Sequence, residues 1–334
     1  MPKRQQAAPN IFKGQTFKRL PKSKPSANSP AEYHDHTWEN GRRYRGHQSE
    51  FPWPNDDLAT RAYSALNTVW TFLLEPTHLI RAPVTPRKGY KLLDCGARGM
   101  SWMSKAEDAF TGVRIAVIDP DCAWLYPADI TVHHELEGEW PFTARQAFHY
   151  IRGFALGGMI ADYKGLYRNA YRHLLPGGWF EVRDNNVQFL LETPSAEKEE
   201  KLVALRKWEK LMAEAAEKFG KPINMAAKHK ALMEDGGFKE VQEQIYKIPF
   251  GDWMEGEPWT PFISSSYKSH MRHGLEGYTL RLFTKTLGWS LEDTKALISE
   301  VREEIANDKL KDLRLYTNFH LVIGKKPEDA SRKP

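Results

Sequence analysis

The chain has 334 residues, a formal net charge of +5 and an apolar fraction of 41%, which allows one large α/β domain or two smaller ones. Only two cysteines are present, Cys95 and Cys122, so we predict neither a disulfide framework nor a zinc site, and we expect a reducing compartment, nucleus or cytoplasm. No apolar run is long enough to span a bilayer, and no membrane partner is expected.

The first 37 residues carry basic side chains among Pro, Ser, Gln and Asn, without a sustained apolar period. This composition predicts a disordered basic tail. One interpretation is a nuclear-import or nucleic-acid-contacting arm; the commoner one is a solubilising tail, so a nucleic-acid partner is not expected. Residues 328–334 are a second, short tail.

A helix is predicted for Asp57–Leu79, whose apolar residues recur at helical spacing, with Pro76 at its end. Short apolar strands then alternate with amphipathic helices. The predicted strands are Lys91–Cys95, Arg114–Ile118, Ile130–His134, Ala147–Gly153 and Gly178–Val187, and the helices between them are Ser101–Ala109 and Tyr163–Leu175. Such alternation predicts an α/β fold with a mostly parallel sheet and helices on both faces.

The last part of the chain changes pattern, with longer helical stretches between two closing strands. We predict helices at Ser195–Phe219, Met225–Asp235 and within Pro258–Asn307, and closing strands at Val241–Ile248 and Leu315–Ile323. Gly236 and Gly237 follow the second helix as a C-terminal cap.

Two strand ends carry the pattern of a nucleoside pocket. Asp94-Cys95-Gly96 closes the first strand, and Asp119 closes the second, where a carboxylate accepts hydrogen bonds from ribose hydroxyls. A dinucleotide site needs Gly-x-Gly-x-x-Gly, whereas this loop has only Gly96 and Gly99 after an acid. A carboxylate there repels a pyrophosphate but can hold, through water, the ammonium of a methionine moiety. The pattern favours S-adenosylmethionine and leaves a nicotinamide oxidoreductase as a weaker alternative.

A third fixed point is the turn Leu175-Pro176-Gly177-Gly178-Trp179, which ends a helix and restarts a strand. Together with the two strand ends described above, this turn makes the chain resemble the class I S-adenosylmethionine-dependent methyltransferases, and more closely the LaeA-like methyltransferases of fungal secondary metabolism. The resemblance covers roughly residues 39–327 and includes Gly138-Glu139-Trp140-Pro141-Phe142 and Leu282–Trp289.

The resemblance implies a Rossmann-like sheet with an antiparallel hairpin at its C-terminal edge. Residues 38–88 are then an N-terminal segment and helix covering the cofactor, and residues 89–327 the methyltransferase-like domain, with a helical cap at 252–310 on the substrate side. The cofactor-binding residues implied by the resemblance are Tyr44, Asp94, Gly96, Gly99, Asp119, Glu135, Leu136 and Arg152. Arg152 is expected at the end of the fourth strand, opposite the reactive methyl group.

The sequence departs from the family pattern at three places. Arg98 and Met100 stand where the second and third loop glycines are expected, His134 replaces an acid, and Gln146-Ala147 replaces Phe-Asp. Arg98 either faces the pocket or points outward. We therefore carry two hypotheses: a methyltransferase acting on a small molecule or a protein, and a weak or inactive homologue that regulates a protein partner.

No catalytic base can be assigned from motifs, because methyl transfer from a sulfonium needs alignment and desolvation more than a strong base. His149, Tyr150 and Arg152 are candidates only by position. The adjacent pair His133-His134 lacks the spacing of a metal site.

Overall fold

The computed structural model of the protein describes residues 36–46, 51–74, 79–98, 101–119, 130–133, 136–143, 147–256, 258–306 and 312–329. Outside this part lie most of the predicted tails (1–35 and 330–334) and the predicted site residues Gly99 and Glu135. Three of the departures from the family pattern, Met100, His134 and Gln146, also lie outside it. The first strand begins at His36, so the last two residues of the segment predicted as a tail belong to a hairpin.

The described elements follow one another as strands and helices in chain order. The strands are β1 (His36–Glu39), β2 (Arg42–Arg45), β3 (Lys91–Cys95), β4 (Arg114–Ile118), β5 (Thr131–His133), β6 (Phe148–Phe154), β7 (Leu174–Asn185), β8 (Leu190–Leu191), β9 (Lys239–Phe250) and β10 (Leu315–Lys325). The helices are α1 (Asp57–Leu73), α2 (Ser101–Ala109), α3 (Tyr163–His173), α4 (Ala196–Glu200), α5 (Val203–Phe219), α6 (His229–Asp235), α7 (Thr260–Arg281) and α8 (Leu291–Glu304).

Eight of these strands form one sheet. Its order is β5-β4-β3-β6-β7-β10, with β9 and β8 also paired to β10. Strands β5, β4, β3, β6 and β7 are mutually parallel, and β10 is antiparallel to its neighbours. This is the mostly parallel, Rossmann-like sheet with an antiparallel C-terminal edge, and the predicted fold class is confirmed.

Several boundaries match the sequence-based prediction residue for residue, namely β3, α2 and β4. Strand β7 begins four residues earlier than predicted, at Leu174, because Leu174 already pairs with Phe148 of β6. The Pro-Gly-Gly turn is therefore an irregularity within the strand, and α3 ends at His173.

The long helix predicted at Ser195–Phe219 is wrong, because the chain forms two helices there. α4 ends at Glu200 and α5 begins at Val203. The carboxylate of Glu304 accepts hydrogen bonds at 2.8 Å from the backbone N–H groups of Ala204 and Leu205. These otherwise unsatisfied groups at the start of α5 are thus held by a residue of α8.

The predicted helical region after β9 consists of α7, a π-helical turn (Leu282–Leu287) and α8. α7 lies along α1, and the two helices are joined by a hydrogen bond of 2.9 Å between Nδ1 of His270 and the carbonyl oxygen of Ala62. Among the described helices, none combines the length and the apolar character needed to cross a bilayer.

Candidate functional site

The parallel strands direct their carboxyl ends to one edge of the sheet, where ligands of open α/β folds bind. Cys95 and Ile118 are register partners, so the residues that follow them, Gly96 and Asp119, lie side by side. The N–H of Gly96 donates to the carbonyl of Ile118, and the N–H of Asp119 donates to that of His133, both at 2.8 Å.

Gly96 is required by the fold itself. Its φ is +76°, and a Cβ there would lie 2.6 Å from the carbonyl oxygen of Phe154. A side chain at this position would therefore clash with the end of β6, whether or not a ligand approaches the backbone.

Asp119 and Leu136 follow neighbouring strands and are both buried. Asp119 supplies an acceptor-only carboxylate at the strand end, which is the chemistry that ribose hydroxyls need. Leu136 is a buried apolar residue close behind β5. The described residues thus fit the nucleoside end of an S-adenosyl ligand.

Asp94 and Arg152 form an internal ion pair. Nη1 of Arg152 lies 2.9 Å from Oδ1 and 3.0 Å from Oδ2 of Asp94, and both side chains are fully buried. Burial raises the pKa of Asp94 and lowers that of Arg152, because it disfavours the charged form of each. Nη2 of Arg152 also donates to Asn67 of α1, at 3.1 Å.

This pair differs from what the resemblance implied. Arg152 is not the last residue of its strand, because β6 continues to Phe154, and its guanidinium packs on the rings of Trp102 and Phe154. The carboxylate of Asp94 is engaged by that guanidinium instead of facing an open space. A direct role for either residue in cofactor binding stays a prediction.

Arg98 lies inside the protein and not at its surface, and its effect on the donor stays a prediction. Its side chain is only 2% exposed, and its guanidinium carbon lies 4.1 Å from the ring centre of Tyr63 and 4.9 Å from that of Phe51. Its φ is +41°, in the left-handed region that non-glycine residues reach at a cost of about 1–3 kcal/mol. A permanent positive charge therefore sits in an aromatic corner beside the cofactor loop.

Tyr44 belongs to a second network that ties the β1–β2 hairpin to the end of α7. The guanidinium carbon of Arg281 lies 3.8 Å from the ring centre of Tyr44. The same guanidinium donates to both carboxylate oxygens of Glu39 and, at 2.7 Å, to the carbonyl of Phe51. Burial raises the pKa of Tyr44 to about 12. Tyr44 thus connects to the cofactor loop through Arg281, Phe51 and Arg98.

A cavity of about 70 Å³ that is partly open to solvent lies under the helical cap, at the carboxyl ends of β6 and β7. Its walls come from the segment before α1, from α1, α5 and α7, and from the residues that follow β6. Tyr63, whose ring carries the Arg98 guanidinium, is part of the wall. The cavity therefore adjoins the cofactor loop.

Two polar groups of this cavity were missed by sequence reasoning, Asp184 and His270. Asp184 accepts hydrogen bonds from the N–H groups of Gly157 (3.1 Å) and Asn185 (2.9 Å) and lies 2.9 Å from Nε2 of His229. Nothing in the sequence distinguishes Asp184 from other polar residues at a strand end. His270 lies in the middle of a helical segment and belongs to no recognisable motif. Apart from Asn185, their partners lie far away along the chain: Gly157 and His229 are 27 and 45 residues from Asp184, and Ala62 is 208 residues from His270.

No family model matches this chain. It is 29% identical over 298 residues to methyltransferase pytC of Aspergillus terreus, covering 87% of this chain and 88% of that protein. It is 28% identical over 317 residues to the secondary metabolism regulator laeA of Monascus pilosus, covering 91% and 81%. It is 25% identical over 315 residues to the protein-methionine methyltransferase laeA of Emericella nidulans, covering 92% and 81%.

These relatives confirm the resemblance to the LaeA-like methyltransferases and the predicted class of function. The chain is a homologue of S-adenosylmethionine-dependent methyltransferases, and the predicted cofactor is the cofactor of that class. A solved structure of a Haemonchus contortus phosphoethanolamine N-methyltransferase bound to S-adenosylhomocysteine has 14% identity and a TM-score of 0.43, and the alignment covers 85% of this chain and 62% of that one.

Proposed function

We propose that this protein transfers a methyl group from S-adenosylmethionine to an acceptor that enters the cavity under the helical cap. The observation that carries the proposal is the position of Tyr63, which is both a wall of that cavity and a contact of Arg98 in the cofactor loop. In this proposal the donor binds at the edge of the sheet where Gly96 and Asp119 lie, next to the cavity that takes the acceptor.

The bound donor supplies an electrophilic methyl group on a sulfonium. Asp119 accepts hydrogen bonds from the ribose hydroxyls, and Leu136 covers an apolar part of the nucleoside. The buried rings around Tyr63 exclude water from the space between donor and acceptor, which favours in-line transfer. The acceptor class stays open between a small molecule and a protein, and the relatives include one protein-methionine methyltransferase.

The inward position of Arg98 favours a second candidate. A guanidinium in the aromatic corner beside Tyr63 and Phe51 opposes the positive charge of the donor. A protein that holds the uncharged product, or no ligand, in this site would act as a partner-binding regulator without turnover.

Calorimetry with S-adenosylhomocysteine and S-adenosylmethionine tests the two candidates, because an enzyme must bind the donor as well as the product. We expect binding by the wild type, and Asp119→Ala should weaken it by about 1.5–3 kcal/mol, the usual contribution of a hydrogen bond to a charged acceptor. Asp108→Ala, which removes an exposed carboxylate of α2, is the matched control and should bind like the wild type. Unmeasurable binding by the wild type would favour the regulator, and unchanged binding by Asp119→Ala would remove Asp119 from the site.

A further inference from the structure

We infer that the acceptor is a small, uncharged molecule with a hydroxyl group on a flat ring, and that Nε2 of His270 accepts the hydrogen bond from that hydroxyl. The inference rests on the proposed function, because it assigns the acceptor of the same site. It is carried by the walls of the cavity, by their charges and by the hydrogen bond that orients His270.

Among the described residues, six aromatic side chains contribute to the walls of the cavity. The rings that line it are those of Trp53, Tyr63, Phe189, Trp208, Tyr267 and Tyr278. Trp53 and Tyr278 meet edge to face with 5.2 Å between ring centres, and Phe189 and Tyr267 are 6.1 Å apart. Ring faces and edges in this arrangement suit a planar apolar ligand.

The described lining offers no free charge to such a ligand. The Asp184 carboxylate is already engaged by Gly157, Asn185 and His229, and the Arg98 guanidinium lies against the ring of Tyr63. A charged acceptor would lose hydration without gaining an opposite charge, which is costly against a mostly apolar lining. The lining therefore selects an uncharged molecule.

His270 supplies one directed acceptor. Its Nδ1 lies 2.9 Å from the carbonyl oxygen of Ala62, and a carbonyl can only accept, so the proton is on Nδ1 and the lone pair is on Nε2. The ring stacks on Tyr267 at an interplanar angle of 14°, which fixes its orientation. In the described part of the chain, no group donates a hydrogen bond to Nε2.

The ionisation of His270 agrees with this geometry. Burial, opposed by the bond to Ala62 and assisted by the charges of Arg98 and His273, lowers the pKa of His270 to about 4. The rings packed against it from α7 are those of Tyr267 and Tyr278. The imidazole is thus neutral near pH 7 and presents a lone pair.

A hydroxyl acceptor uses this lone pair during the reaction. The new O–CH3 bond forms as the S–CH3 bond breaks, the hydroxyl proton passes to Nε2 of His270, and uncharged S-adenosylhomocysteine is left. A thioether acceptor, such as a methionine side chain, has no proton to give and gains nothing from His270. The two acceptor classes therefore differ in their dependence on this residue.

The size of the cavity also favours a small molecule. A volume of about 70 Å³ holds about two water molecules, and Trp53 and Tyr278 are among the rings that bound it. Only the reacting end of a small ligand fits without displacement of these rings. A peptide strand would require the cap to open.

The test compares three probes on the full chain saturated with S-adenosylhomocysteine: 2-naphthol, its methyl ether 2-methoxynaphthalene, and the thioether N-acetylmethionine amide. Ligand-observed NMR gives each dissociation constant, and ¹⁵N spectra of histidine-labelled protein follow the Nε2 resonance of His270. We expect 2-naphthol to bind at least fivefold more tightly than its ether and to shift that resonance.

His270→Phe keeps a flat ring and removes the acceptor, so it should abolish the preference for 2-naphthol. His270→Gln keeps an acceptor and should retain part of the preference. It replaces His270→Phe in the test if that variant does not fold. His273→Phe, three residues along the same helix, is the matched control and should keep the full preference.

Three results would overturn the inference: no binding of 2-naphthol, equal binding of 2-naphthol and its ether by the wild type, or a preference for the thioether. A preference that survives in His270→Phe would overturn the role of His270. The probes are also titrated without S-adenosylhomocysteine. Whether the protein binds the product at all is measured separately by calorimetry, so a failure of the proposed function is distinguished from a failure of this inference.

Discussion

Asp94 and Arg152 are register partners on adjacent parallel strands, and their charged groups meet 2.9 Å apart in the fully buried interior. The acid of the cofactor loop therefore neutralises a guanidinium from the next strand. Because that guanidinium also reaches Asn67, the loop, the sheet and α1 are joined by one hydrogen-bonded group.

Removing one member of this pair should destabilise the protein strongly. Arg152→Met leaves the Asp94 carboxylate buried without its counter-charge, and we expect a loss of about 3–5 kcal/mol in the free energy of unfolding, measured by urea titration. The double variant Asp94→Asn/Arg152→Met should recover a large part of the free energy of unfolding that Arg152→Met loses. Arg168→Met, which removes an exposed ion pair with Asp162, is the control and should change stability by less than about 1 kcal/mol. Equal losses in the single and double variants would show that packing, and not charge, holds this region.

The charge of Arg98 should set a preference between the two forms of the cofactor. Two like charges ~6 Å apart repel by a few kcal/mol at an effective dielectric constant of about 20, whereas the uncharged product avoids that repulsion. We expect the wild type to bind S-adenosylhomocysteine more than roughly tenfold more tightly than S-adenosylmethionine, the factor that 1.4 kcal/mol represents. Arg98→Gly, which also relieves the positive φ, should tighten binding of the donor.

Calorimetry on three proteins tests this preference. Arg98→Lys keeps the positive charge and is the matched control, so it should still favour the product. If wild type and Arg98→Gly bind both forms equally, the guanidinium has no influence on the donor.

Burial of His270 predicts a dependence of stability on pH. Its pKa is lowered to about 4 in the folded protein, against an ordinary value near 6.5, so the unfolded chain binds a proton that the folded chain does not between these values. The free energy of unfolding is therefore unaffected by His270 above about pH 6.5, and it decreases as the pH falls towards 4. At pH 4.5 the loss should be about 2–3 kcal/mol relative to pH 7.

The measurement is urea unfolding of the wild type and His270→Phe at pH 7 and 4.5. On acidification, His270→Phe should lose about 2–3 kcal/mol less stability than the wild type. His273→Phe should behave like the wild type. Identical pH dependence in all three proteins would mean that His270 is not buried in its neutral form.

Arg281 should control the position of the N-terminal hairpin. Burial alone would raise the pKa of Glu39, but hydrogen bonds from Arg281 and Lys285 outweigh it and hold that pKa below its ordinary value. Arg281→Met removes the bonds to Glu39 and to the Phe51 carbonyl, and we expect a loss of about 2–4 kcal/mol with faster proteolysis of the β1–β2 hairpin. Lys285→Met, which removes only the more exposed partner, is the control and should cost less than about 1 kcal/mol. Similar proteolysis of both variants would show that Arg281 does not anchor the hairpin.

The sequence by itself determined the order and type of most elements and the resemblance to the LaeA-like methyltransferases. The bounds of β3, α2 and β4 follow from local apolar periodicity, which depends on residues only a few positions apart. The Asp-x-Gly loop and the acid after β4 follow from strand ends, and a parallel sheet necessarily brings such ends together.

Tertiary structure alone decided which groups meet. The partner of Asp94 is 58 residues away, the acceptor for His270 is 208 residues away, and the break before α5 depends on Glu304. The direction of Arg98 depends on the rings of Phe51 and Tyr63, which belong to other segments. These choices are made by side-chain packing between distant elements, and local periodicity carries no information about it.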